Sequence, residues 1–311
     1  MTKKTVFEKN IQEKIITEYL SFKSIARISR EYGYGKKVIR RILKENNIGI
    51  RTNGNESKTQ EQLATNRKYK INQSYFENID SDDKAYWLGF MFADGYVLDR
   101  IGENKGKRKG LIVGLALKAD DCEHLINFRK EIKSNHPIRH KTIKLKGKEY
   151  FACAINIGSV KMGEDLISWG CTPRKSLTLK YPEKLSDEFF PSFLRGYIDG
   201  DGCINVTRNK KEWSISMLGT FEFLTSVKNK LEIYQIKCRE EMPKNNKSIK
   251  NTHVLRIKAE SFDNLFNLLY RTSKSSYMMA RKYETFQEIG QLRKRKDYFL
   301  SETAALAALL Q

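Results

Sequence analysis

Two nine-residue stretches constrain this chain more than any other feature. Residues 87–95 read WLGFMFADG and residues 194–202 read LRGYIDGDG, so the second repeats the first at an offset of 107. Each is an apolar run at helical spacing that ends in Asp-Gly. Each also carries a pair of small residues four apart, Gly89 with Ala93 and Gly196 with Gly200. Such pairs share one helix face and let another backbone come close. The stretches therefore predict two helices packed on each other through Gly89, Ala93, Gly196 and Gly200. That packing brings Asp94 and Asp201 to one end of a single seam. A helix C-terminus already carries partial negative charge from unpaired carbonyls, so acids are disfavoured there. Two carboxylates, with the carbonyls of Ala93 and Gly200, call for a cation. All-oxygen donors select a hard one, Mg2+, with Mn2+ as a substitute. Gly95 and Gly202 are expected to take the left-handed conformation that releases a chain from a helix.

The surroundings repeat as well. The first stretch is followed by a strand (GLIVGLALK), a helix (DDCEHLINFRKEI), a hairpin turning at Gly147 and a helix stopped by Gly170. The second is followed by EWSISML, a helix capped by Thr220, the hairpin strands IKCREEM and HVLRIKA, and the helix SFDNLFNLLYRTSKSS. The expected fold is α+β. It has duplicated α-β-β-α-β-β-α units, pseudo-two-fold symmetry and a saddle-shaped antiparallel sheet surface, plus a small all-α N-terminal module. The expected boundaries are 1–55 for that module, 56–74 for a polar linker, 75–180 and 181–290 for the repeats, and 291–311 for a C-terminal tail.

A net charge of +21 points to a polyanionic partner. It is uneven: residues 1–70 hold 17 Lys/Arg against 7 Asp/Glu, so +10 of the total lies there. No apolar run reaches transmembrane length, and the N-terminus lacks the apolar core of a signal peptide. The five scattered cysteines read as buried free thiols in a reducing, intracellular compartment. Pro137 breaks the HPIRH segment and argues against zinc at His136 and His140.

WLGFMFADG and LRGYIDGDG resemble the two motifs of single-chain LAGLIDADG homing endonucleases, and the likeness extends over about residues 75–290, including CTPRKS and RKYETF. The resemblance implies a site-specific, metal-dependent double-strand DNA endonuclease. Asp94 and Asp201 would be the metal-binding acids. Cleavage would run across the minor groove and leave short 3′ overhangs. The partner would be double-stranded DNA with a long asymmetric site, read by a monomer. Phe92 stands where the second motif has Asp199, which leaves Asp199 a capping or packing role. Basic residues near the metal are expected at Lys175 (PRKS) and Lys274 (TSKS), with Lys118 as a further candidate; such a lysine could stabilise phosphate charge or poise water. The alternative within the fold is a nucleic-acid-binding relative that does not cleave, a splicing maturase or a regulator. An intein is not expected from Met1 and a C-terminal end without His-Asn.

Three short helices are expected before residue 50, with a Gly-containing turn ahead of a basic third helix, the helix-turn-helix pattern, and the segment resembles the helix-turn-helix of resolvase-type and similar phage proteins. Lys36, Lys37, Arg40, Arg41 and Lys44 would line its exposed face, and Arg51 would enter a minor groove. In the first hairpin, alternation predicts an inward set at Ile143, Leu145, Phe151, Cys153, Ile155 and Ile157. It predicts an open, DNA-reading set at His140, Thr142, Lys144, Lys148, Tyr150 and Asn156. The second repeat would contribute Arg208, Lys237, Arg239, Arg256 and Lys258. The loops RIGENKGKRKG and PKNNKSIKN would wrap the duplex.

Overall fold

A computed structural model describes residues 9–51, 68–99, 110–145, 148–207, 212–241 and 251–309. Most of the expected linker (56–67), Arg208 and nearly all of the two wrapping loops lie outside them, whereas residues 71–74, expected as linker, belong to the second unit, where Ile71 packs on the core and the Asn72 N–H donates to the Ile132 carbonyl at 2.9 Å. The chain divides into two compact units, Met1–Lys70 and Ile71–Gln311.

The first unit has three helices, α1 (Lys9–Leu20), α2 (Ile25–Glu31) and α3 (Lys36–Glu45). Ser24 caps α2 by accepting from the Arg27 N–H. Gly33 lies between α2 and α3 at φ 70°, a conformation open to glycine. Ile15, Tyr19, Ile28, Ile39, Ile42 and Leu43 form the core. Lys36, Lys37, Arg40 and Lys44 are exposed on α3, whereas Arg41 is half-buried and 4.0 Å from Glu45. Arg51 departs from expectation. Its guanidinium lies 4.0 Å from the Tyr19 ring centroid and donates to the Tyr19 and Lys23 carbonyls, each at 2.8 Å. It closes the end of α1, where carbonyls lack helical partners, and is not a free arm.

The second unit carries the two repeats. The first is α4 (Asp82–Ala93), β1 (Tyr96–Asp99), β2 (Leu111–Lys118), α5 (Cys122–Glu131), β3 (Arg139–Leu145), β4 (Lys148–Gly158) and α6 (Val160–Trp169). The second is α7 (Phe190–Asp201), β5 (Gly202–Val206), β6 (Trp213–Gly219), α8 (Phe221–Ile233), β7 (Cys238–Glu241), β8 (His253–Ile257) and α9 (Phe262–Asn267). The chain ends on α10 (Ala280–Leu309), which runs through the boundary expected at 290. Each repeat forms a four-stranded antiparallel sheet, ordered β1-β2-β4-β3 and β5-β6-β8-β7. The element order is the duplicated one read from the sequence.

Helices α4 and α7 pack on each other at the centre. Every residue from Ala85 to Ala93 is buried. A Cβ on Gly89 would run into the Phe193 carbonyl, and one on Gly196 into the Tyr86 carbonyl. Phe193 is the repeat mate of Tyr86, and Gly196 that of Gly89, at the same offset of 107. The contact is therefore reciprocal, as a two-fold interface requires. Gly200 meets the Ala93 methyl in the same seam.

Gly95 and Gly202 do not adopt positive φ; Gly202 has φ −69°. Glycine is needed for close approach, because the chain leaves each helix straight into a strand and folds over the preceding turn. A Cβ on Gly95 would lie 2.7 Å from the Met91 Cα, and one on Gly202 2.9 Å from the Ile198 Cα. All five cysteines are free, but Cys203 on β5 is exposed, against the expectation that all are buried.

Candidate functional site

Asp94 caps the C-terminus of α4, and Asp201 is the last residue of α7. Asp94 is half-buried and Asp201 is exposed. Neither carboxylate has a hydrogen bond or ion pair with a described residue. Burial, then the charge of Asp201, pushes Asp94 up to about 6, against the pull of Lys282, Lys175 and Arg281. Asp201 is raised in the same direction by the protein around it. The two carboxylates at the ends of adjacent helices thus lie within electrostatic reach of each other, and neither has a partner among the described residues.

The helix ends around them are not vacant. Lys175, in the 3-10 turn Lys175–Leu177, donates to the Ala93 carbonyl at 2.8 Å. Lys282 on α10 donates to the carbonyls of Ile198 (2.7 Å), Gly200 (2.9 Å) and Gly202 (2.8 Å). The carbonyls of Ala93 and Gly200, expected as metal donors, are therefore lysine acceptors. Both lysines are buried, at 8% and 6% exposure, and burial pushes Lys282 down to about 8. Each acid at a disfavoured helix end is thus matched by an ammonium on that same end.

Lys274 is not at the seam. Its side chain is exposed, and its backbone N–H donates to Asp82 at 3.2 Å. The residue equivalent to Lys175 is Lys282, as the repeat offset itself says. Lys282 follows Asp201 at the same interval as Lys175 follows Asp94, and each lysine comes directly after an arginine. The likeness of PRKS to TSKS points to the wrong lysine. Lys118 is exposed at the end of β2 and pairs with Asp120 at 3.2 Å. Asp199 is buried and accepts from the Tyr86 hydroxyl (2.7 Å) and the Met279 N–H (2.8 Å). It therefore packs and ties, and burial raises it to about 6. The Tyr86 hydroxyl also meets Nε2 of buried His124 at 2.9 Å.

The residues fit a divalent ion through two carboxylates. Among the described residues no group of three or more His, Cys, Asp or Glu could hold a metal. Mg2+ commonly takes one or two carboxylates and completes its shell with water and phosphate oxygens.

The first sheet corrects the expected reading set. β3 pairs with β4 at Arg139–Ala154, His140–Cys153, Lys141–Ala152 and Thr142–Phe151. Directly opposed residues share a face. Odd positions on β3 therefore lie with even positions on β4. His140, Thr142 and Lys144 fall on the face of Cys153, Ile155 and Ile157, which are buried in the core, and not with Tyr150 and Asn156. All three are exposed, on the overhanging edge strand, and Lys144 pairs with Glu149 at 3.2 Å. Phe151, expected inward, is 63% exposed for the same reason. The open face carries Arg139, Lys141, Tyr150, Asn156 and Tyr96, whose hydroxyl donates to Asn156 at 2.6 Å. Arg139 and Lys141 were missed. The register pairs Leu145 with Lys148, so parity inverts across the hairpin and counting outward from that pair reaches Arg139 and Lys141. The Lys148 side chain lies outside the described residues. In the second sheet Arg239 opposes Arg256, and both lie 3.5 Å from Glu241. Lys258 is exposed, and exposed Lys237 lies 3.8 Å from Glu260.

Residues 191–269 match the sequence model of a family described as the LAGLIDADG-like domain. The match takes in LRGYIDGDG and most of the second repeat. A comparison with curated proteins gives no match. Among solved structures, the I-LtrWI LAGLIDADG homing endonuclease bound to target DNA is 14% identical over 73% of this chain and 93% of that one, with a TM-score of 0.46. The I-GzeII LAGLIDADG homing endonuclease in complex with its DNA target is 13% identical over 69% and 92%, with a TM-score of 0.45. Mesophilic variants of the homing endonuclease I-DmoI are 15% identical over 64% and 92%, with a TM-score of 0.41. All three are distant. No helix among the described residues is long and apolar enough to cross a membrane.

Proposed function

We propose that this chain is a monomeric, divalent-metal-dependent, site-specific double-strand DNA endonuclease. One observation carries the reading. Helices from two repeats bring two unpartnered carboxylates together at one end of a reciprocal seam, each with a buried lysine on the same helix end. The family match over residues 191–269 and the net charge of +21 agree with it.

Asp94 and Asp201 would hold Mg2+, or Mn2+ in its place. A divalent cation there supplies Lewis acidity and a more acidic bound water. The chain's own contribution is charge and position. The carboxylates sit at the base of the seam, and Lys175 and Lys282 offer fixed positive charge beside them to a phosphate that gains charge. Asp94 with Lys175 would serve one strand and Asp201 with Lys282 the other. The open sheet faces, with Arg139, Lys141 and Tyr150 in one half and Lys237, Arg239, Arg256 and Lys258 in the other, would read base edges and grip phosphates. Because the two sets differ, the target would be asymmetric. Lys36, Lys37, Arg40 and Lys44 of the first unit would add contacts of their own. The family resemblance adds cleavage across the minor groove and short 3′ overhangs.

Asp94→Asn and Asp201→Asn test the reading on a duplex selected from a randomised library. Each is expected to cut one strand or neither, with specific binding retained. Double-strand cutting by either variant at the wild-type rate would remove the acid pair as the metal centre. Specific binding by the wild type without cutting in Mg2+ or Mn2+ would mark a non-cleaving relative.

A further inference from the structure

The two lysines reach the seam by unequal routes. Residues 273–279 form a strap between the π-turn Leu268–Thr272 and α10, and Lys282 lies in the first turn of α10 just beyond it. Although it belongs to the second repeat, acids of the first repeat hold it and the first turn of α10. Asp82 accepts from the Lys274 N–H (3.2 Å) and from Ser192, whose hydroxyl also meets Ser273 at 2.7 Å. Asp83 accepts from the Ser275 hydroxyl (2.8 Å), the Ser276 N–H (2.6 Å) and the Ser276 hydroxyl (3.0 Å). Glu131 accepts from the Tyr277 hydroxyl at 2.6 Å, and Asp121 from Arg281 Nε at 2.9 Å. All four acids are half-buried, where charge-assisted hydrogen bonds are screened less than at an open surface. The corresponding stretch of the first repeat, residues 166–172, is tied by no acid of the second repeat among the described residues: Cys171 Sγ faces the Met91 carbonyl at 3.4 Å, and Ser168 accepts from Lys184 Nζ at 3.1 Å.

We propose that Asp82, Asp83, Asp121 and Glu131 are positioning residues for Lys282 alone. The first repeat thereby sets the lysine of the second centre, while the turn that carries Lys175 is tied by other groups, the Leu177 carbonyl accepting from Asn251 Nδ2 at 3.1 Å. Loosening these acids frees Lys282 from the three carbonyls it caps and leaves Lys175 in place. The consequence for cutting rests on the endonuclease reading: damage to the first repeat's outer acids slows the strand served by Asp201 and Lys282.

The test uses the full chain with Asp83→Ala, Asp121→Ala and the milder Ser276→Ala. Asp187→Ala, which breaks an exposed pair with Lys230, serves as control. Reductive methylation, read peptide by peptide by mass spectrometry, reports the accessibility of each lysine without any need for activity. Lys282 should react at least about fivefold faster in the three strap variants, with Lys175 as protected as in the wild type and the control unchanged. On a target with both strands labelled, the same variants should nick, losing one strand's cut by a similar factor. Unchanged protection of Lys282, or equal loss of protection at both lysines, overturns the proposal. A wild type that cuts no duplex removes the endonuclease reading but leaves the lysine result to decide the strap. Should Asp83→Ala fail to fold, Ser276→Ala carries the same expectation.

Discussion

Lys274 and Lys282 differ in what they touch, and the difference is measurable. Lys282 satisfies three carbonyls, two of them in buried hydrogen bonds, whereas the Lys274 side chain stays in solvent. Lys282→Met should cost about 1–3 kcal/mol in urea unfolding, because buried carbonyls lose their partner. Lys274→Met should stay within about 0.5 kcal/mol. Asp94 gives a pH signature. Its carboxyl titrates near 6 in the folded chain against an ordinary 3.8, so the folded state holds the proton more tightly. Stability therefore falls as pH rises between those two values, with the full cost present above pH 6. Each pKa unit is about 1.4 kcal/mol, and partial exposure reduces the effect. In chelator, Asp94→Asn should exceed wild type by about 1–2 kcal/mol at pH 7 and match it near pH 4. Equal differences at both pH values would show that Asp94 is not held at raised pKa.

At the scale of elements, the seam between α4 and α7 is set by missing side chains. Even alanine at Gly196 would meet the Tyr86 carbonyl, which belongs to a helix backbone and cannot move alone. Gly196→Ala should cost about 1–3 kcal/mol or more, seen as a lowered melting temperature. Gly290 within α10 is the counterexample: a Cβ there meets the Phe262 ring at 3.8 Å, ordinary contact. Gly290→Ala should gain about 0.5–1 kcal/mol, because alanine loses less entropy in a helix. The helices and the seam were legible because both rest on local spacing. The assignment of hairpin faces was not, because it depends on register, and one uncounted inversion at the turn exchanges the two sets.

Across the whole molecule, charge and core divide differently. Residues 1–70 hold nearly half of the net charge and have a small core of their own. Residues 71–311 keep +11 and the large core built on α4 and α7. Deleting residues 1–70 should therefore leave a folded protein. Its DNA affinity should fall, and the slope of log affinity against log salt should flatten, because fewer phosphates are neutralised. Metal-dependent cutting at low salt and saturating protein should persist. An unchanged salt slope would exclude the basic face of α3 from DNA contact.

The sequence by itself determined the order of elements, the duplication at one fixed offset, the pairing of the two motif helices and the acids at their ends. Each is written in short-range periodicity or in one repeated spacing, and the chain cannot satisfy those in many ways. The lysine that attends Asp201, the tie of Arg51 to α1 and the set of residues on the open face of the first hairpin were decided only by the tertiary structure. Lys282 reaches carbonyls 80–84 residues away, and Arg51 reaches others 28–32 residues away. A side chain with several acceptors within reach is assigned by which of them burial leaves unpaired, and burial exists only once the helices have packed.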